Sequence, residues 1–496
     1  MSMRRSHEAT TYTPTSEQVD IIAHEPTEDL LVEAGAGTGK TTTLKAYARK
    51  WIERRAIYIV FNRAMAEASK GQFPRNVEVM TAHSYAYRSR GMQKYRSRIV
   101  PKIRRNHVRD MNLMLDHPHL PRERMVAAVT DAIANFCNDS AAALEPRHCG
   151  LGTMPTNIAN DLITKIIGPA VGEFLYYEKG NLPITHDIYL KRTQLEGGMT
   201  GNFEYIMVDE AQDLSPVLLS LLDKTDLPTI YIGDRFQSIY AFRGAIDALS
   251  QIEAKKLNLT QSWRFGEDVA EVANFILSRV TRPPEWKLRG RPGHETQVIP
   301  YNGNAPARSL LLSRTNSRLF EGLVNLSGTT TFHVFGGFES ISNQVSSALA
   351  LSRGDRSNVR DPLIMAYNSW EEMVGDADDS DPEIKRLVKI ISDYGSQIPS
   401  ILARLNTLYR PHMHDADIVM STAHKAKGLE SNCVVVLDDF NTPNELREQY
   451  EMRELDPTSY NQELHLLYVA LTRGINRMMV APALYSEIMT EMRKSK

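Results

Sequence analysis

Short apolar runs rich in Val, Ile, Leu and Tyr recur along the chain, and each stops at a polar or glycine-rich turn. They are "DLLVEAGAG", "AIYIVFN", "VEVMTAHS", "EYIMVDE", "TIYIGD", "SLLLSRT", "DIVMSTAH" and "NCVVVLDDF". Several are followed by segments with helical spacing, such as Leu44, Tyr47, Trp51 and Ile52 after the first run. Buried strands alternating with helices predict α/β domains with parallel sheets, whose ligands bind at the carboxyl ends of the strands. The strands cluster at about 29–84, 203–234, 309–336 and 417–439. The stretch from 87 to 195 is instead long, basic and mainly helical in pattern, and reads as an insertion in the first α/β domain. Residues 281–295, "TRPPEWKLRGRPGHE", read as a loop.

Composition bounds this picture without sharpening it. A chain of 496 residues exceeds what one hydrophobic core supports, so two or more domains are expected. The apolar fraction of 42% and charged fraction of 24% are those of an ordinary globular protein. No stretch resembles a signal peptide or approaches the roughly 18 apolar residues that a bilayer demands, so no membrane role is expected. Cys137, Cys149 and Cys433 form no CxxC pair, which argues against zinc and against a disulfide framework. The net charge of −2 does not mark a nucleic-acid binder, but its distribution is uneven. From Arg88 to Arg109 there are nine Lys/Arg and no acid, with Tyr87 and Tyr95 nearby. Such a run either tracks phosphates or is a solvated helical face balanced by acids elsewhere. The acidic counterpart at 371–383, "EEMVGDADDSDPE", reads as a solvent-facing loop.

Candidate chemistry begins at "LLVEAGAGTGKTTTL", residues 30–44, a strand, a glycine-rich turn and a helix start. Gly35, Gly37 and Gly39 let backbone amides close around phosphate oxygens. Lys40 brings a cation to the β/γ-phosphates, and Thr41 is a ligand for Mg²⁺. The strict P-loop pattern has Gly where this chain has Ala34. A P-loop ATPase also needs acids at the end of another strand, and "YIMVDEAQD", residues 205–213, provides them. Asp209 is placed to hold Mg²⁺, and Glu210 to polarise the attacking water as general base. Arg264 and Arg473 are candidates for stabilising charge on the departing phosphate, although either alone reads as a surface arginine.

One loop, "GDRFQSIYAFRGA" at 233–245, combines a polar Gln237 with Tyr240, Phe242 and Arg243. Phosphate chemistry gives no reason for the aromatics. Together with the other blocks, the loop resembles a motif of superfamily 1A DNA helicases of the UvrD/Rep type. "TSEQVDII" is similar to the Q motif, "EAGAGTGKT" to that family's P-loop, in which Ala34 is normal, and "VFNRAMA" and "TAHS" to motifs Ia and Ib. "VDEAQD" resembles motif II, "GDRFQSIYAFRGA" motif III, "LTQSWRFGEDVAEVANFI" motif IV, "STAHKAKGLE" motif V and "LLYVALTRG" motif VI. The matches run in fixed order from about 14 to 477.

The resemblance implies an α/β fold of two RecA-like P-loop motor domains with parallel sheets, a mainly helical insertion in the first and a short insertion in the second. The implied first motor domain is 1–86 and 196–261, interrupted by the insertion 87–195. The second is 262–344 and 413–496, interrupted by 345–412. ATP and Mg²⁺ are the implied cofactors. Gln18 would read the adenine edge, Trp263 would stack on it, and Glu430 would contact the ribose. The loop Ala34, Gly35, Ala36, Gly37, Thr38, Gly39, Lys40 and Thr41 would wrap the phosphates, with Thr42 where many relatives carry an arginine. Gln237 would sense the γ-phosphate, and Arg264 and Arg473 would be arginine fingers. Phe61, Asn62, His83, Phe242, Arg243 and His424 would line a groove for single-stranded DNA, where base stacking on aromatics is worth about 1–3 kcal/mol per base.

"LPITHDIYLK", "FHVFGGFES" and "DYGSQIPSILARL" resemble the helicase portion of the F-box DNA helicase group and its short phage and bacterial relatives. The chain is expected to carry neither an F-box nor an appended nuclease. The implied activity is ATP-dependent 3′→5′ translocation on single-stranded DNA with unwinding at single/double-strand junctions, serving replication, repair or recombination. Two alternatives stay open. One is a translocase that strips proteins from single strands, and the other is the ATPase subunit of a nuclease or defence complex. A repair or recombination protein is the expected protein partner. The expected location is the cytoplasm (nucleoid-associated or phage-encoded), or the nucleus in a eukaryote.

Overall fold

The computed structural model describes residues 13–111, 117–152, 154–239, 248–326, 328–377 and 382–495. The chain divides into two compact units, one running to Ala34 and from Gly39 to Leu259, the other comprising Gly35–Thr38 and Thr260–Lys496.

The first unit is built on six strands, β1 (Leu30–Ala34), β2 (Ala56–Ile59), β3 (Val77–Met80), β4 (Tyr205–Val208), β5 (Thr229–Gly233) and β6 (Lys255–Leu259). They lie in the order β3-β2-β4-β5-β1-β6, with every pairing parallel. A parallel sheet is covered on both faces, so its inner strands are largely apolar, and β1, β2, β4 and β5 are buried along their length apart from the half-buried Glu33. Because successive side chains alternate, each strand feeds two cores. Leu30, Val32, Ala56, Tyr58, Tyr205 and Met207 pack with Ile21, Leu44 and Tyr47 of the helices Ser16–Ala23 and Lys40–Lys50. Leu31, Ile57, Ile59, Ile206, Val208 and Tyr231 face the other way.

That second face is covered by the long segment between β3 and β4. Its main helices are Ala82–Ser89, Arg122–Asn138, Thr156–Leu162, Gly168–Leu175 and His186–Leu195, and the described residues of this segment form no strand. Val129, Phe136, Phe174 and Ile188 join the sheet residues in one continuous cluster. Lys191 lies inside it, fully buried. Its amine donates to the carbonyls of Asp139 (2.8 Å) and Ala141 (2.6 Å), just past the helix Arg122–Asn138, and sits 4.2 Å from the centre of the Phe136 ring. A cation there suits the negative helix end, but burial pushes its pKa down from 10.5 to about 8. The unfolded chain therefore binds this proton more tightly between pH 8 and 10.5, and stability must rise with pH across that window. Relative to Lys191→Met, the wild-type protein is expected to gain up to about 3 kcal/mol between pH 8 and pH 10.5. Urea denaturation at stepped pH measures it, and a flat difference would place the lysine in water.

The second unit holds β7 (Gln297–Pro300), β8 (Ser309–Ser313), β9 (Phe332–Val334), β10 (Ile418–Thr422), β11 (Ser431–Val436) and β12 (Gly474–Val480). Their order is β7-β12-β11-β8-β10-β9, again all parallel. Leu311, Met420, Val435 and Met479 pack on one face against Phe320, Ile341, Val345, Leu387 and Leu405 from the helices Asn316–Val324, Phe338–Ser352, Pro382–Tyr394 and Ile398–Leu408. No helix among the described residues is long and apolar enough to cross a membrane.

Two local expectations are corrected. The helix Lys40–Lys50 stops before Trp51, which adopts φ −101°, ψ 39° as its cap, so Ile52 lies outside it. The acidic run at 371–383 is not a loop at its start. Glu371 to Asp376 belong to the helix Trp370–Asp376, capped by the Ser369 hydroxyl on the Glu372 amide and anchored by buried Met373. Carboxylates in a first helical turn complement the helix dipole, which is why a charged stretch folds there.

Candidate functional site

In a parallel sheet every strand points its carboxyl end to the same edge. On the first sheet that edge collects most of the residues singled out from sequence. β1 runs into the glycine-rich loop, β2 into Phe61 and Asn62, β3 into His83, β4 into Asp209 and Glu210, and β5 into Asp234 and Gln237.

Asp209 is the centre of the cluster. Its Oδ2 accepts from the Thr41 hydroxyl at 2.9 Å and from the Tyr58 hydroxyl at 2.6 Å, and its Oδ1 accepts from the Glu210 amide at 2.9 Å. Burial pushes the Asp209 carboxyl above its ordinary range and the neighbouring Glu210 charge adds to this, while Tyr58, Lys40 and Thr41 pull it back. Burial and the charge of Asp209 push the Tyr58 phenol up as well, so it stays a donor. A buried carboxylate beside a second carboxylate, offering hard oxygens together with a hydroxyl, fits a divalent cation such as Mg²⁺. Among the described residues no group of three or more His, Cys, Asp or Glu could hold a metal by itself. Thr41 and Asp209 are the residues that would hold the divalent cation.

Glu210 adopts φ 52°, ψ 42°, a left-handed conformation that costs a residue with a Cβ about 1–3 kcal/mol and clusters at working sites. Its Oε2 accepts from Gln212 Nε2 at 2.5 Å. Gln212 Oε1 accepts from the Asp234 amide at 3.0 Å, and Asp234 Oδ2 accepts from Gln237 Nε2 at 2.6 Å. Tyr58, Gln212 and Asp234 had not been singled out from sequence. Tyr58 looks like any residue of an apolar strand. Gln212 and Asp234 stand inside the sequences "VDEAQD" and "GDRFQ", the only signal they gave.

The helix after the loop begins at Lys40, with Gly39 at φ 82° as its cap and the Thr43 hydroxyl donating to the Gly39 carbonyl at 3.0 Å. Lys40 is half-buried and Thr42 exposed. Gln18 is buried, its Nε2 donating to the Thr43 hydroxyl at 3.1 Å and its Oε1 accepting from the Thr15 amide at 3.0 Å in a capping box. Ala34 ends β1.

The turn Gly35–Thr38 groups with the second unit. Within that unit the Ala36 amide donates to the Tyr468 hydroxyl at 2.8 Å, and the Trp263 amide to the Gly37 carbonyl at 2.8 Å. The Thr38 hydroxyl donates to the Gly35 carbonyl at 2.9 Å. Gly37 has φ 73°, and an added Cβ would meet Ser262 Oγ at 2.7 Å, so only glycine fits. Glu430 and Arg473 immediately precede β11 and β12, whose register pairs Ser431 with Gly474 and so makes them neighbours. Arg264 Nε donates to Glu430 at 2.9 Å and Nη1 to the Thr472 carbonyl at 3.0 Å. Arg473, 1% exposed, donates from Nε to Val469 O at 2.8 Å and from Nη2 to the Thr472 hydroxyl at 3.3 Å. The structure therefore brings Arg264, Glu430 and Arg473 together around Thr472. Trp263 is partly exposed.

Of the residues assigned to a nucleic-acid groove, Phe61 is 54% exposed two residues past the end of β2, an open aromatic face. Asn62 has a local role too, since its Oδ1 accepts from the Met65 amide at 2.9 Å and caps the helix Arg63–Ser69. His83 Nε2 lies 3.1 Å from Asp187 Oδ1. His424 sits in the turn after β10. Tyr240, Phe242 and Arg243 lie outside the described residues. In the basic run, Arg88, Arg90 and Arg109 pair with Glu78, Glu196 and Glu123, and Arg98 donates to the carbonyls of Leu182 and Tyr177. Lys102, Arg104 and Arg105 remain exposed and line a cavity of about 380 Å³ that also touches Asp187. Part of the run is thus a balanced helical surface, and part presents positive charge beside His83's partner.

Residues 18–243 match the model of an AAA domain, and residues 337–483 match that of the UvrD-like helicase C-terminal domain. The chain is 28% identical to F-box DNA helicase 1 of Gallus gallus over 95% of its own length and 49% of that protein. It is 27% identical to F-box DNA helicase protein 1 of Schizosaccharomyces pombe, over 94% of its length and 57% of that protein. DNA helicase IV of Escherichia coli is 34% identical over 17% of this chain and 14% of its own. The chain spans about half the length of the F-box relatives it matches.

Proposed function

Since the chain belongs to the UvrD-like helicases and is homologous to the F-box DNA helicases, we propose that it is an ATP-driven motor that translocates 3′→5′ on single-stranded DNA and unwinds duplex ahead of it. The observation that carries this reading is the buried cluster at the carboxyl edge of the first sheet. There Thr41 and Asp209 stand ready for a cation, and Glu210 is held beside them on a strained backbone. Mg²⁺, when bound, would neutralise phosphate charge. The backbone amides and Lys40 at the helix start would orient the triphosphate, and Glu210 would take the proton of the attacking water. Arg264 and Arg473 are the proposed stabilisers of charge on the leaving phosphate. Trp263, Gln18 and Glu430 are the proposed contacts to the nucleoside.

The exposed Phe61 supports a sequence-tolerant stacking platform, which a motor crossing every base requires. Opening duplex must overcome about 1.4 kcal/mol per base-pair step, so each forward step has to be coupled to hydrolysis. Strand displacement on matched duplexes with a 3′ or a 5′ single-stranded tail tests the proposal. Unwinding is expected from the 3′ tail alone. Activity from the 5′ tail alone would overturn the polarity. Translocation with hydrolysis but without displacement would favour a motor that strips proteins from single strands.

A further inference from the structure

Gln212 is 1% exposed and sits in the short turn Ala211–Asp213 that follows Glu210. The two ends of its amide reach two different elements. Oε1 accepts the Asp234 N–H at the end of β5, and Nε2 donates to Glu210 Oε2. The orientation is fixed by chemistry, because a backbone N–H can only donate and so must face the amide oxygen. Asp234 is itself fully buried, and its carboxylate accepts from Gln237 Nε2 and from the Phe236 amide at 3.1 Å. Gly233 makes room for this bridge. A Cβ there would stand 2.5 Å from Gln212 Oε1 and 3.1 Å from its backbone nitrogen.

We propose that Gln212 is a positioning residue that fixes the Glu210 carboxylate and ties it to the loop carrying Gln237, so that the placement of the base follows the position of that loop. The inference rests on the ATPase reading above. Glutamine is the side chain that meets both demands at this length, since a carboxylate would offer no donor to Glu210 and an aliphatic chain neither donor nor acceptor. The Glu210 carboxylate extends from a left-handed backbone and accepts this donor, so losing the donor removes one of the contacts that set its rotamer. Any movement of the Asp234–Gln237 segment then reaches Glu210 through three hydrogen bonds.

The test compares the full-length wild type, Gln212→Leu, Gln212→Glu and Lys40→Ala in steady-state ATP hydrolysis with single-stranded DNA, alongside binding of a fluorescent ATP analogue. Gln212→Leu is expected to lower kcat about tenfold, as for loss of one hydrogen bond to a charged group, with KM and analogue affinity unchanged. Gln212→Glu keeps the volume and the acceptor for the Asp234 amide, and at a pH where its carboxyl is ionised it gives Glu210 no donor, so its kcat there should fall at least as far. Combining Gln212→Leu with Gln237→Ala should cost less than the two separately, because both break one chain. Wild-type kcat in both Gln212 variants, with Lys40→Ala inactive, would overturn the positioning role and leave the ATPase reading intact. Loss of nucleotide affinity in step with kcat in both variants would overturn it too, since that marks a structural role. An active Lys40→Ala enzyme would place the ATPase site elsewhere than this loop, and the inference would fall with that assignment.

Discussion

Lys40→Ala is expected to lower kcat for DNA-stimulated ATP hydrolysis by about 100–1,000-fold, the loss seen when one preorganised charge stabiliser is removed. Lys40 is the first residue of the helix Lys40–Lys50, entered through the left-handed Gly39. The unpaired amides and dipole of that helix start already favour an anion, and the lysine adds a mobile full charge. It also counters the two carboxylates nearby, being among the groups that hold the buried Asp209 carboxyl down. Without it a triphosphate would approach Asp209 and Glu210 with one cation fewer. Alanine has the highest helix propensity, so the helix and the fold should survive. A coupled ATPase assay with and without single-stranded DNA, with circular dichroism as control, checks the result. Stimulated hydrolysis at wild-type rate would sink the assignment of this loop.

The reason so much of this site was legible lies in the parallel sheet. Inner strands of such a sheet are largely apolar, so β1, β2, β4, β5, β8, β10 and β11 announce themselves, and the turn after each falls at the carboxyl edge of its sheet. In the first sheet that rule brings the turns leading to Lys40, Asp209 and Gln237 to one edge. β6 was missed because it is an edge strand. Its sequence Lys255-Lys256-Leu257-Asn258-Leu259 is mostly exposed and carries no apolar run. β7 is the opposite edge of the second sheet, half-exposed and four residues long. β12 hides its strand signal differently, since Ile475-Asn476-Arg477 face solvent more than Met478-Met479-Val480 do.

Contacts made only in three dimensions left no such trace. Tyr58 reads as core because its ring is core, and only its hydroxyl reaches Asp209. Asn62 carried a cap signal that its place in a motif obscured. The basic run left two readings open. Nine cations lie between Arg88 and Arg109, and only the fold shows that Arg88, Arg90 and Arg109 pair with Glu78, Glu196 and Glu123 while Lys102, Arg104 and Arg105 stay exposed.

Glu210→Gln should separate binding from chemistry. The expected result is a kcat lower by about 10²–10⁴, the range for losing a general base, with nucleotide affinity preserved or increased. Glutamine is isosteric and can take the same left-handed backbone at the same cost. Its amide oxygen can still accept from Gln212 Nε2, so the local bridge is kept. What disappears is the negative charge that could take a proton from water. The same change relieves Asp209, whose carboxyl is pushed up partly by Glu210. Asp209 then ionises more readily and should hold a cation, and with it a nucleotide, at least as well. Single-turnover hydrolysis and titration with a fluorescent ATP analogue read the two quantities independently. A kcat within threefold of wild type would mean that the base lies elsewhere. A parallel loss of affinity would mean that Glu210 belongs to the binding of the cation rather than to the attack on the phosphate.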